Sequence, residues 1–268
     1  MSNLSTHTIH TIQDFVSVVE ALRTAVPEPH WYRGISKSSY QLLPSLYRHP
    51  TTRSSDELIK LERKLIIRFK ERSLPFLSTT VKGMSDWEYL FLMQHFGAPT
   101  RLLDWTENPF IALFFALSGA MVASGGMFVD DVAVWLFSPG KWNKKVFSYV
   151  SFKGDILSYT DSQAKSYDPD VEKKFDPPDY PAAIFGVHNS PRIVAQRGVF
   201  TIFGSNTLPM EEIFEKDSFP DTTLQKIIIP APEGLLLFES LIALGYTDTV
   251  LFPDLEGLAR ETKRFFGF

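Results

Sequence analysis

The sequence predicts one mixed domain of α/β or α+β class, with a central sheet of mostly short strands flanked by helices. Three observations carry this. The chain has 268 residues, 44 % hydrophobic and 22 % charged, enough to bury one full core. Helical and strand patterns alternate irregularly, unlike a strict βαβ array. No internal repeat and no second core with its own linker is visible, so residues 30–268 read as one domain on which a helix from residues 1–29 packs.

In the opening segment Ile12, Phe15, Val18, Val19 and Leu22 recur at helical spacing and stop before Pro27, which predicts an amphipathic helix. "WYRG" at 31–34 then reads as an aromatic-led strand. Ser54 with Glu57, and Ser85 with Glu88, form capping-box patterns ahead of two helices, the second stopped by Gly97. "APTRLLDWT" is extended and feeds a helix over about 107–121, with Thr106 as N-cap and Pro109 in the first turn. Strands follow in "VAVWLFS", "AAIFGV", "GVFTIFG" and "KIIIPA", and helices over 233–245 and 255–266, the last capped by Asp254. Residues 141–180 lose periodicity and read as a surface excursion, a candidate lid at a cleft mouth.

Charge and composition exclude some functions. A net charge of −4 argues against a broad nucleic-acid-binding face while leaving room for a local phosphate pocket. The absence of cysteine removes disulfide scaffolds, thiolate nucleophiles and thiolate metal sites, and the cytoplasm is the expected compartment. The N-terminus lacks an export-signal pattern. "FIALFFALSGAMVAS" is shorter than the roughly 18 apolar residues of a spanning helix, so it reads as a core helix and no membrane is expected. The six histidines show no metal-ligand spacing, and no metal is expected. Dinucleotide-fold, P-loop and hydrolase-elbow signatures are missing.

The densest polar anomaly is "QHFGAPTRLLDWTENPF", where Gln94, His95, Thr100, Arg101, Asp104, Thr106 and Asn108 interrupt an apolar region. Buried charges need partners or a ligand. Along an extended segment Thr100, Asp104 and Thr106 share one face, and Arg101, Leu103 and Trp105 the other. Two readings stand. In one, Arg101 bonds a neighbouring element and Asp104 caps the next helix. In the other, the segment floors a cleft, with Trp105 stacking on a ring and Thr106 and Asp104 meeting sugar hydroxyls.

Arg33 offers a similar choice between a phosphate-gripping fork and a salt-bridged or ring-stacked strand end, with Gly34 allowing a ligand close to the backbone. Arg48 supplies a second guanidinium after the Leu-Leu-Pro run. His95 is either a structural imidazole or a base. Arg192 and Gln196 stand at i and i+4 and share a helix face. Glu239 is either a solvated helix position or a spare carboxylate. Arg33, Arg48, Arg101 and Asp104 are expected to border one cleft.

"WYRG", "LLPSLYR", "QHFGAPTRLLDWTENPFIALFFAL", "NSPRIVAQRGVF" and "LFPDLEGLA" occur in the order and spacing of the FRG domain. The chain resembles that family over about residues 30–260, with Tyr32 in place of the Phe of its Phe-Arg-Gly motif. The resemblance implies a bacterial or phage-associated factor of the kind linked to toxin or defence loci. Three short patches also resemble ADP-ribosyltransferases: Arg33-Gly34, Thr100 to Thr106 with "IALFFA", and Gln196 before "GVFTIF".

That second resemblance implies an ADP-ribosyltransferase-like fold with NAD or a related nucleotide as ligand. An early arginine would hold the dinucleotide, a hydroxyl residue would orient the nicotinamide ribose, and a late carboxylate would stabilise the oxocarbenium-like transition state. Gln196 departs from the pattern at the last point, so Asp104, and after it Glu239, become the substitute carboxylates. The implied catalytic set is Arg33, Asp104, Gln196 and Glu239. The implied ligand-binding set is Tyr32, Gly34, Arg48, His95, Thr100, Arg101, Trp105, Thr106, Asn108 and Arg192. The alternative is a non-catalytic module sensing a nucleotide or partner in the same cleft. The acceptor or trigger, protein or nucleic acid, stays open, as does the oligomeric state.

Overall fold

The computed structural model describes residues 4–52, 54–77, 83–123, 126–149, 152, 155–169, 179–187 and 191–268. In chain order the elements are β1 (Ser5–Thr8), α1 (Ile12–Ala25), β2 (Trp31–Ile35), α2 (Ser55–Ser73), α3 (Asp86–His95), β3 (Leu102–Thr106) and α4 (Pro109–Ser118). There follow β4 (Val132–Phe137), α5 (Pro139–Val146), β5 (Ala182–Ile184), α6 (Pro191–Ala195), β6 (Gly198–Ile202) and α7 (Met210–Lys216). The chain ends with β7 (Leu224–Ile229), α8 (Gly234–Ala243), α9 (Asp248–Leu251) and α10 (Leu255–Phe265). The strands form one sheet in the order β1-β7-β4-β2-β3-β6-β5. Its strand pairs are antiparallel apart from the parallel β1–β7 pair, so the fold is the expected mixed single-sheet class.

Period-2 alternation divides the sheet between two cores. On β4, Val132, Val134 and Leu136 enter the core built with α1, α4 and α8. Ala133, Trp135 and Phe137 enter the core built with α2, α3, α5 and α7. A strand covered on both faces carries no polar alternation, which is why "VAVWLF" is apolar throughout.

Several boundaries differ from the sequence expectation for identifiable reasons. The cap of α4 is Asn108, not Thr106: its side-chain oxygen accepts from Phe110 and Ile111 N–H at 2.9 and 3.3 Å. Ser54 precedes α2 without a side-chain capping bond, whereas the Ser85–Glu88 box before α3 forms. Gly97 ends α3 with φ +74°, a left-handed conformation suited to glycine. The strand β1, "STHT", escaped notice because it is polar and pairs only as an edge.

The segment 141–180 is corrected as well. In its described part Trp142, Leu157, Ala164 and Tyr167 are fully buried, so it packs into the sheet's core instead of lying over the surface. Its polar residues serve that packing, as Asn143 donates to the Asp155 and Ala183 carbonyls at 3.0 and 2.9 Å and accepts from Ala183 N–H. Residues 150–151, 153–154 and 170–178 of that stretch lie outside the described residues.

Candidate functional site

The strands β2 and β3 are neighbours in the sheet, yet their ladder consists of the single pair Tyr32–Thr106. Each pairs through five residues with its other neighbour, β2 with β4 and β3 with β6. The two strands therefore splay, and a cavity of about 400 Å³ opens between them. Its walls are Tyr32 to Ser36 and Tyr40 on one side and Asp104 to Thr106 on the other. Gln94 and His95 at the end of α3, Phe115 of α4, and Arg192, Ile193 and Gln196 complete it, with Gly198 and Phe200 of β6 behind.

Arg33 and Asp104 face each other across the splay. The Arg33 Nη1 donates to the Asp104 backbone carbonyl at 2.6 Å and lies 3.8 Å from its Oδ2. Arg33 Nε is shut off from water and finds no hydrogen-bond acceptor among the described residues. The Asp104 carboxylate accepts from Gln94 Nε2 at 2.6 Å, and Gln94 Oε1 in turn accepts from the Thr100 hydroxyl. Gln94 is thus held at both ends and aims its amide at the acid.

Enclosure by the cavity walls pushes the Asp104 carboxyl above the ordinary carboxylate range, while Arg33 and the Gln94 hydrogen bond pull it back. With 54 % of its side chain exposed, the carboxylate is reached by water as well as by these partners. Burial lowers the Arg33 guanidinium, Asp104 opposes that, and the nearby charge of Arg48 adds to it. Burial and the Arg192 charge keep the His95 imidazole below its ordinary value, against the pull of Asp254 and Asp104.

On the opposite wall, Arg192 stacks over the Phe252 ring at 4.4 Å. The Thr106 hydroxyl donates to the Gln196 carbonyl at 2.7 Å and accepts from Asn108 N–H at 3.1 Å, which ties β3 to the turn before β6. The Gln196 side chain donates to the Leu251 carbonyl at 3.0 Å. In that turn Arg197 takes φ +46°, a rare conformation for a residue other than glycine.

Of the residues singled out from sequence, the cavity gathers Tyr32, Arg33, Gly34, Gln94, His95, Asp104, Trp105, Thr106, Arg192 and Gln196. The others lie elsewhere. Arg101 is fully buried: its Nε donates to Glu62 Oε2 at 2.7 Å, and its Nη groups donate to the Phe203 carbonyl at 3.2 Å and to the Tyr167 carbonyl. It occupies the face of β3 opposite Asp104 and borders no part of the cleft. Thr100 is buried with its hydroxyl engaged by Gln94 and Leu102 N–H, and Asn108 is committed to capping α4. Arg48 is exposed outside the cavity, felt there only through its charge on Arg33. Glu239 points to solvent from α8.

Two residues that do reach the cavity have jobs other than those expected. The Trp105 ring is in the core, stacked on Phe137 at 4.8 Å, with its N–H donated to Thr201 at 3.1 Å. A Cβ on Gly34 would lie 1.8 Å from the Ala112 carbonyl oxygen and 2.6 Å from Ala116 N, so this glycine lets α4 press on β2 instead of admitting a ligand. Tyr40 and Phe115 were missed. Tyr40 sits in a polar loop and Phe115 inside the apolar α4 run, so neither stands out from its neighbours.

Compared with known proteins, residues 28–123 match the FRG domain, a narrower span than the motifs suggested. The curated proteins and the solved structures contain no match to the chain. The matched segment holds β2, α3, β3 and α4, and with them Arg33, Gln94 and Asp104. The segment 28–123 is thus similar to the FRG domain, and the two splayed strands of the cleft lie within it.

Proposed function

We propose that the cavity between β2 and β3 binds NAD or a closely related nucleotide as substrate and cleaves its bond to the nicotinamide ring. The observation that carries this is the Arg33–Asp104 pair, a cation and the cavity's one wall carboxylate, 3.8 Å apart where the sheet opens. The cavity of about 400 Å³ falls in the range of roughly 300–1,000 Å³ usual for small-molecule sites. Arg33 Nε, orphaned among the described residues, is a donor that a phosphate oxygen would satisfy. Tyr40 and Phe115 offer apolar surface to a ring.

In this reading Arg33 and Arg192 hold the diphosphate. The bond from ribose C1′ to the nicotinamide nitrogen breaks, and its electron pair leaves with the ring and neutralises the ring's charge. Positive charge develops on the ribose, where the Asp104 carboxylate stabilises it. A water oxygen then bonds C1′ and releases its proton to solvent. Gln94 keeps the carboxylate oriented and charged. Cleavage of this kind in a cell would deplete the cofactor pool, in keeping with a toxin or defence effector.

Incubation of purified protein with NAD tests the proposal through nicotinamide release. Asp104→Asn is expected to reduce turnover about a hundredfold or more while folding persists. Turnover should also fail on acidification at a pH above that of an ordinary aspartate, because the carboxyl must be ionised to act. Gln196 stands where the transferase resemblance calls for a carboxylate, and its amide is tied to Leu251, which favours a second reading as a nucleotide sensor. Saturable NAD binding without nicotinamide release would select the sensor. Neither binding nor release would overturn both.

A further inference from the structure

Helix α10 is mounted the wrong way round for a surface helix. An amphipathic helix ordinarily buries its apolar arc and turns its charges to water. Here Leu255, Leu258 and Phe265 are 83, 51 and 84 % exposed. The inward side is made by Gly257, the helix's one buried residue, and by two arginines. Arg260 lies 4.7 Å from the Phe252 ring centroid and Arg264 lies 4.5 Å from that of Phe238. A Cβ on Gly257 would come within 2.0 Å of the Phe252 carbonyl oxygen, so the backbone itself is pressed against the body.

What the inverted helix encloses is a second cavity of about 290 Å³, walled by Arg260, Lys263 and Arg264 together with Asp248 and the Phe252 and Phe268 rings. Three cationic side chains face one acidic side chain, Asp248, in that wall. Asp248 is spent on Arg264 Nε at 3.0 Å, and Glu256, outside the wall, takes one Arg260 nitrogen at 2.5 Å. A guanidinium carries five N–H donors, so both arginines keep most of theirs, and stacking on rings fixes the direction of the remainder. Lys263 makes no ion pair with a described residue. The hydroxyl-bearing Ser118 of α4 closes the wall.

We propose that this second cavity is an oxyanion site for the phosphate of a small phosphorylated molecule, distinct from the cleft between β2 and β3. Arg260 and Arg264 each have one carboxylate partner and keep donors to spare, Lys263 adds an ammonium, and a walled cavity on a chain of net charge −4 suits a small ester better than a nucleic-acid strand. One ring links the two cavities. Phe252 carries Arg192 of the first cavity at 4.4 Å and Arg260 of the second at 4.7 Å, which places the two guanidinium carbons within about 9 Å of each other. An anion held at Arg260 would therefore relieve repulsion felt by Arg192.

Titration calorimetry with inorganic pyrophosphate at low ionic strength, against a chloride-matched blank, tests this site. Wild type is expected to bind. Lys263→Gln and Arg260→Gln, each checked for folding by circular dichroism, should weaken binding by about tenfold or more. In an Arg33→Gln background, which removes the proposed cleft's own diphosphate contact, the binding that remains should still fall by about tenfold or more with Lys263→Gln. No heat from wild type, unchanged binding in both α10 variants, or loss only in Arg33→Gln would overturn the assignment. So would a ten-nucleotide single strand that binds through Lys263 where pyrophosphate does not.

Discussion

Replacing Arg101 by lysine separates structure from function inside the most polar stretch of the chain. The substitution keeps the charge and shortens the reach. Arg101 donates from its side chain to three buried acceptors, Glu62 and the carbonyls of Phe203 and Tyr167, and Glu62 is itself 2 % exposed. A lysine ammonium at this depth can serve one of these well, and keeping Glu62 leaves the two carbonyls without a donor. Each buried polar group left unsatisfied costs about 1–3 kcal/mol, so two cost about 2–6 kcal/mol, or about 3 at about 1.5 each. That is a large share of a typical total of roughly 5–15 kcal/mol.

For a chain of this size, about 3 kcal/mol corresponds to a melting temperature lower by about 6–12 °C, readable by circular dichroism or tryptophan fluorescence. Arg101→Met should fall further, because it leaves the buried Glu62 carboxylate unpaired, a loss of about 3–5 kcal/mol by itself. At a temperature where Arg101→Lys is still folded, its nucleotide affinity should match wild type, since Arg101 does not reach the cavity. A lysine variant that melts within about 2 °C of wild type, or one that loses affinity while fully folded, would refute the reasoning.

Gly34→Ala is expected to yield a chain that fails to fold or melts far below wild type in the same assay, because a Cβ 1.8 Å from the Ala112 carbonyl oxygen forces α4 off β2. Tyr32, Tyr47 and Tyr167 should ionise only as the protein unfolds, since burial raises all three and pushes Tyr32 up to about 12. Their protonated forms are shared by folded and unfolded chains below about pH 10, and above it the unfolded chain alone loses the protons. Stability should therefore fall as pH rises from about 10 to about 12, by about 1.4 kcal/mol per pH unit for each tyrosine. Phenolate absorbance at alkaline pH that rises without loss of the folded circular dichroism signal would contradict this for the residues it reports.

What the sequence revealed follows what is encoded locally. Helix α1 was legible from apolar residues at helical spacing, and α3 and α10 from caps at Ser85 and Asp254 whose side chains bond in the structure, signals that need no knowledge of the rest of the chain. Burial of the stretch around Trp142 and Tyr167 was hidden because its apolar residues are spaced irregularly. They fill gaps between elements instead of lining one face, and only the tertiary arrangement gives them partners. The edge strand β1 was hidden for the opposite reason: a polar strand paired on one side imposes no hydrophobic pattern.

The stretch from Gln94 to Asn108 was legible as anomalous but not as divided. Alternation along β3 had already set Arg101 and Asp104 on opposite faces, and the structure gives the two faces different fates. One face turns inward, where a guanidinium can be stable only if Glu62 and two carbonyls meet it, and Glu62 lies thirty-nine positions earlier, on the apolar face of α2 one turn from Leu58 and Ile66, which marks it as buried without naming its partner. The other face opens onto the splay between β2 and β3, and that splay is a property of strand pairing that no single segment encodes. Polar crowding in an apolar run therefore locates a demand for partners without saying whether the fold or a ligand supplies them. The deciding observation is which nitrogens lack an acceptor: every nitrogen of the Arg101 guanidinium has one, while Arg33, on the neighbouring strand, still holds an Nε with no acceptor among the described residues.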